Sequence, residues 1–211
     1  MTELLRLKRL KFTAGPTESS PSLEVSPSTV VVLVGPNNSG KSLALREIED
    51  WCWGLDQPRR VISEIDVEFP HDPEEGVALL DEFKTQPPEG QVVAPDHVWV
   101  GYHTFRQGES FQHFQIPLQT VRNAVQGWDK YQLRQILLRF YVVRLDGRTR
   151  FLLSDPKPSG DLQQHPQNHL WALFVNDDAR ERVRKLTEEA FGLHFVIDPT
   201  GMTQFRIRMS D

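Results

Sequence analysis

A chain of 211 residues, 38% of them apolar, suggests one domain or one and a half and is long enough to bury a substantial core. Its 24 Lys and Arg against 29 Asp and Glu, a net charge of −5 and a pI near 5.8 argue against a dedicated nucleic-acid binder. The mean hydropathy of −0.45, the lack of an apolar run near about 18 residues and the polar start Met1–Arg6 exclude a spanning helix and a visible secretory signal. The single cysteine, Cys52, excludes an internal disulfide framework and a Cys-rich zinc site, so the expected setting is the reducing cytoplasm.

In chain order, Leu5, Leu7, Leu10 and Phe12 nearly alternate with Arg6, Lys8 and Lys11, with a slip at Arg9; this predicts a strand with a bulge. Residues 13–28 read as a Ser/Pro/Gly loop around a short strand at Leu23–Val25. Thr29–Val34 is a continuous β-branched and apolar run, which predicts a strand covered on both faces, as in a parallel sheet. Leu43, Leu45, Ile48, Trp51, Cys52 and Leu55 then recur at the spacing of an amphipathic helix, which Gly54 and Pro58 end. Val61–Phe69 reads as a strand, and Asp72-Pro73-Glu74-Glu75 as a capped helix start. A strand follows at His97–Thr104, a polar stretch without period at Gly108–Gln115, and a helix over Val121–Leu138 that Gly127 is able to break. Asp146-Gly147 between Arg139–Leu145 and Arg148–Leu153 predicts a hairpin. Asn176 caps a helix to Phe191 with Gly192 at its end, and His194–Asp198 with Gln204–Met209 predict a closing hairpin. The order is α/β: one strand–loop–helix unit, then antiparallel hairpins with inserted helices.

Chemistry concentrates in Gly35-Pro36-Asn37-Asn38-Ser39-Gly40-Lys41-Ser42, which matches G-x-x-x-x-G-K-[ST] at every fixed position. Glycines at 35 and 40 let backbone N–H groups form a nest for phosphate oxygens. The following helix points its positive end at the same place. Lys41 is then placed to meet the β- and γ-phosphates, and Ser42 to ligate Mg²⁺. The run from a predicted strand into a predicted helix supplies the context this motif requires.

Hydrolysis needs more than this cradle. Val77-Ala78-Leu79-Leu80-Asp81-Glu82 has the letters of a Walker B strand, but the cap at Asp72-Pro73 and the spacing of Val77, Leu80 and Phe83 read as a helix. Phe195-Val196-Ile197-Asp198 reads as a strand, but Pro199 stands where a catalytic Glu belongs, and Asp198 reads as a turn residue. No catalytic residue is assigned. The sequence predicts nucleotide binding more firmly than hydrolysis.

The Gly-Pro-Asn-Asn-Ser-Gly-Lys-Ser loop, following a Leu/Lys-rich strand at residues 5–12, resembles ABC-type ATPases of the RecF/SMC/OLD kind, the match covering roughly residues 3–55. The resemblance implies the first lobe of a P-loop NTPase core: an antiparallel β portion, a Walker A loop holding ATP and Mg²⁺, and inserted helices, with 1–211 as a single nucleotide-binding domain. It implies a second lobe, or a second head in a dimer, that brings the signature motif, Walker B and the catalytic Glu. Family members serve DNA repair, chromosome maintenance or anti-phage defence. This sequence departs from the pattern in lacking a Leu-Ser-Gly-Gly-like signature and an Asp-Glu strand. The resemblance also implies a Gln near Mg²⁺, for which Gln163 and Gln164 are candidates beside a plainer reading as a polar loop.

Arg6, Lys8, Arg9 and Lys11 form a basic stripe that reads as the guarded face of an edge strand, with a phosphate track on DNA as the alternative; Arg144, Arg148 and Arg150 read the same way. The seven histidines form no helical H-x-x-x-H pair, and His165 and His169 are separated by Pro166, so no zinc site is expected. Two other readings stay open: a complete atypical NTPase that uses Asp81 or Asp198 for Mg²⁺, and a non-enzymatic interaction module that keeps the loop as an anion site.

Overall fold

The computed structural model describes the chain except residues 1–4, 16, 18, 27–29, 89, 107–109, 163–165, 201, 202 and 211. It is a mixed α/β protein with small antiparallel sheets. The chain divides into two compact units, Met1–Val100 with Gln115–Arg144, and Gly101–Phe114 with Leu145–Asp211.

In the first unit, β1 (Arg6–Phe12) is the middle strand of a sheet, between β2 (Glu24–Val25) and β3 (Ile62–Glu68), antiparallel to both. The slip at Arg9 is a register shift between Leu7 and Arg9 against β3, the bulge expected from the broken alternation. Two residues of the basic stripe are paired across the sheet: Lys8 lies 3.1 Å from Glu68, and Arg9 bridges Glu64 and Glu24. The expected edge strand is therefore an inner strand, paired on both sides, and these residues make cross-strand ion pairs rather than guarding a free edge. Helix α1 (Lys41–Cys52) packs on β3. Ile62, Ile65, Val67 and Phe69 form the buried face that it helps to cover.

The core continues through α2 (Pro73–Ala78), capped by the Asp72 carboxylate on the Glu74 and Glu75 amides as expected, and a single 3₁₀ turn at Asp81–Phe83. Strand β4 (His97–Thr104) pairs with β5 (Ser110–Pro117), so the polar stretch at 108–115 contains a strand that lacked an alternating pattern. Helix α3 (Leu118–Gln126) ends at Gly127, where a break was expected. A second helical run then follows: α4 (Lys130–Leu133), a wide turn at Arg134–Leu138, and α5 (Arg139–Tyr141).

Two expectations fail. No strand forms at the expected Thr29–Val34 run. Thr29 lies outside the described residues, and Val30–Val34 is irregular, its four valines exposed (Val30 at 76%, Val34 at 86%) and Leu33 half-buried. No backbone hydrogen bond joins Val30–Val34 to another described residue. The run has β propensity but no sheet edge to join, and propensity alone does not make a strand. The hairpin at Asp146-Gly147 also fails. Asp146 is the N-cap of α6 (Gly147–Ser154), its carboxylate accepting from the Thr149 amide at 2.9 Å. Asp-Gly suits a type I′ turn, but Asp also caps helices, and here the capping use wins.

In the second unit, β8 (Gln204–Ser210) lies between β6 (Lys157–Pro158) and β7 (His194–Asp198), antiparallel to both. Helices α7 (His169–Val175) and α8 (Asp177–Phe191) cover this sheet. Leu170, Trp171, Phe195, Ile197 and Phe205 form its core. The Asn176 cap and the left-handed Gly192 end of α8 (φ 67°) are as expected.

Candidate functional site

Residues 35–42 form a tight turn that runs straight into α1. Gly35, Asn38 and Gly40 have φ of 155°, 64° and 85°. Within the turn, the Ser39 amide donates to Pro36 O at 3.3 Å, and the Ala44 amide donates to Gly40 O at 2.8 Å. A Cβ on Gly40 would meet Val61 Cγ2 at 3.2 Å. Position 40 therefore needs glycine both for its left-handed backbone and for its contact with the start of β3.

Lys41 closes the loop. Its Nζ donates to Gly35 O at 2.8 Å, to Pro36 O at 2.7 Å and to Ser39 Oγ at 3.1 Å. All three acceptors are neutral. An ammonium bonded to a phosphate oxygen gains a charge-assisted bond that is roughly twice as strong as a neutral one. An arriving phosphate thus competes well for Lys41. The N-terminus of α1 favours the same ligand: it has no side-chain cap and no acidic residue in its first turn, which leaves its positive end uncompensated. Ser42 is exposed in that first turn.

A cavity of about 460 Å³ opens beside the loop. One wall comes from the end of β1 and the residues after it, Phe12–Gly15, with Leu23. Val61, whose carbonyl accepts the Thr13 amide, lies beside them, and Leu33–Pro36 and Ala44 complete the lining with the loop. The loop thus adjoins a mainly apolar recess, the usual makeup of a small-molecule site.

Glu47 fixes this geometry. One turn and a half into α1, its carboxylate is buried and accepts the amides of Arg60 (2.6 Å), Val61 (3.0 Å) and Ile62 (2.8 Å). Burial pushes its pKa up, but those three amides, with Arg59 nearby, outweigh it and hold the carboxyl below its ordinary value. Glu49, also buried, receives Arg144 Nε at 2.8 Å. Sequence periodicity assigned the covered face of α1 to Leu43, Leu45, Ile48, Trp51, Cys52 and Leu55; Cys52 is buried as expected, but Leu45 and Leu55 are exposed, and Ala44, Glu47 and Glu49 are buried instead. A buried carboxylate that accepts backbone amides leaves no periodic signature, so Glu47 escaped the sequence reading.

Among the other expected residues, Asp81 sits in the 3₁₀ turn with its carboxylate 2.5 Å from Lys84 Nζ; the segment forms no strand, but the helix started by the Asp72 cap ends at Ala78, before Asp81. Asp198 ends β7, accepts the Thr200 amide at 2.9 Å and pairs with Arg208 at 2.5 Å. The Thr200 hydrogen bonds hold its carboxyl below the usual range, with Arg208 adding to this against a smaller effect of burial. That is the turn role read from the sequence. Gln163, Gln164 and His165 lie outside the described residues. No group of three or more His, Cys, Asp or Glu among the described residues is placed to hold a metal, and none of their helices is long and apolar enough to cross a membrane.

No protein-family model matches the chain, and neither a curated protein nor a solved structure matches it.

Proposed function

We propose that this chain is the nucleotide-binding lobe of an ABC-type P-loop ATPase of the RecF/SMC/OLD kind. It binds ATP with Mg²⁺ through Gly35–Ser42 and joins a second lobe or head in response, in DNA repair or anti-phage defence. The observation that carries this reading is the folded loop itself: Lys41 drawn over the turn at Gly35–Gly40, at an uncapped helix end, beside a recess of about 460 Å³. Ser42 offers one oxygen to Mg²⁺. The ion commonly takes its remaining ligands from phosphates, water and one or two carboxylates, so a site with a single protein oxygen fits a metal that arrives with the nucleotide.

Two observations favour a partner-dependent enzyme over a self-sufficient one. Asp81 and Asp198 are each held in a local turn and ion pair. Val30–Val34 leads into the loop with exposed valines and no backbone partner among the described residues; strands supplied by another lobe would satisfy both. Binding of the nucleotide would thereby be coupled to assembly. Turnover tests the division of labour. The chain alone should bind ATP·Mg²⁺ without steady hydrolysis, and hydrolysis that is lost in Asp81→Asn would assign catalysis to this chain instead.

A further inference from the structure

A second cavity in the first unit lies at the C-terminal end of α1, the end away from Lys41. Its volume is about 740 Å³, and among the described lining residues it shares only Thr13 with the recess beside the loop. Trp51, Leu55, Pro58 and Ile62 give it an apolar wall, while Arg59, Lys130 and Arg134 set three cations against the single carboxylate of Asp56. This local positive excess sits in a chain of net charge −5. Arg134 opens the wide turn between α4 and α5, and such turns recur at functional sites. Its side chain is 9% exposed, with the guanidinium carbon 4.7 Å from the centre of the Trp51 ring and 5.4 Å from that of Tyr131. Nη1 donates to Trp51 O at 3.3 Å, and Nη2 lies 3.5 Å from the carboxylate of Asp56, itself 73% exposed. Those contacts leave most of the guanidinium N–H groups without a hydrogen bond to a described residue. Burying a guanidinium is costly unless an anion meets it closely, and Asp56 meets it loosely. Lys130 is half exposed and 3.6 Å from Asp66, and Arg59 is exposed and joins no ion pair among the described residues.

We propose that this cavity binds a small organic phosphate, with Arg134 as the fork that grips its oxyanion and Arg59 and Lys130 completing the charge. A phosphate monoester carries about two negative charges at neutral pH, which matches three cations less one carboxylate. Contact with the two rings holds the guanidinium in advance, so little side-chain freedom is lost on binding. Its edge offers paired N–H groups to two phosphate oxygens in place of Asp56, and the apolar wall takes the organic group. A nucleic-acid backbone does not reach a side chain nine-tenths buried in a concave cavity, whereas a small ligand does. The proposal does not depend on what the Gly35–Ser42 loop binds.

The test is calorimetric titration of phenyl phosphate and of inorganic phosphate into the wild-type chain, into Lys41→Ala, which silences the loop, and into Lys41→Ala with Arg134→Lys or Arg59→Ala added. Circular dichroism checks the fold of each. Phenyl phosphate should bind the Lys41→Ala chain one to one with Kd at or below about 1 mM. Inorganic phosphate should bind at least about tenfold more weakly, because it leaves the apolar wall unused. Arg134→Lys keeps a charge but not the fork and should weaken phenyl phosphate by about tenfold or more. Should it disturb the packing on Trp51, Arg59→Ala, at an exposed position, should still weaken phenyl phosphate by about twofold to fivefold, a loss that shrinks at high salt. A folded Lys41→Ala chain without saturable binding below about 10 mM, phenyl phosphate no tighter than inorganic phosphate, or affinity unchanged in a folded Arg134→Lys chain or in Arg59→Ala overturns the proposal. Binding present in the wild type and lost in Lys41→Ala assigns the phosphate to the loop, which overturns this second site and supports the reading under Proposed function.

Discussion

Replacing Glu47 with Gln keeps the size of the side chain and removes its charge. The native carboxylate presents two acceptor oxygens to three amides, those of Arg60, Val61 and Ile62. A carboxamide presents one oxygen and turns an N–H₂ toward the remaining amides, donor against donor. One buried amide left without an acceptor costs about 1–3 kcal/mol, and loss of charge assistance on the others adds about 1 kcal/mol. The expected total is about 2–4 kcal/mol. Urea unfolding followed by tryptophan fluorescence, to which Trp51 and Trp53 at the end of α1 contribute, reads this change; with a slope near about 2 kcal/mol/M the midpoint falls by about 1–2 M, the slope itself unchanged. The pH dependence has a fixed sign. A carboxyl held low in the folded state stabilises fully above its unfolded value, near 4.5, and loses that contribution as pH falls through the folded value. The gap between wild type and Glu47→Gln is therefore full at neutral pH and closes in acid. A midpoint unchanged within about 0.2 M, or a gap that widens toward acid, would refute the claim that Glu47 ties α1 to β3.

Gly147→Ala should stabilise the protein by about 0.5 kcal/mol, since position 147 opens a helix with nothing within 4 Å of a new Cβ; a type I′ turn would make the same change destabilising, and thermal unfolding decides. Gly40→Ala has the opposite sign. The left-handed backbone alone costs about 1–2 kcal/mol, and a lowered unfolding temperature together with weakened ATP binding is expected. Cys52 is buried, and burial, with Glu49 adding and Arg134 opposing, pushes its thiol up to about 12. Native protein should therefore resist a thiol-specific reagent that reacts readily once the chain is unfolded in urea.

Sequence alone read the elements whose local signals agree with their surroundings. Asp72-Pro73 and Asn176 start helices where expected, Gly192 ends one, and the alternation at Arg6–Phe12 marked both the strand and its bulge. The failures occur where one signal serves two structures. Asp146-Gly147 is both a turn pair and a cap, and the helix of eight residues beginning at Gly147 makes the choice. Val30–Val34 has the composition of a buried strand, but composition does not supply the neighbouring strands that would bury it. In the site, the glycines and Lys41 were legible because their spacing matches a fixed motif, and the turn has positive φ at both glycines with Lys41 folded onto it. Glu47 and Val61 were not, because their roles depend on where the start of β3 passes α1.

The central claim is that the turn at Gly35–Ser42 receives a triphosphate through Lys41. Calorimetric titration of ATP·Mg²⁺ into the wild-type chain and into Lys41→Ala, with the secondary structure of both checked by circular dichroism, tests it most directly. The account predicts saturable one-to-one binding by the wild type and its loss in a folded Lys41→Ala. Equal affinity in the two proteins, or no heat from a folded wild type, would contradict it.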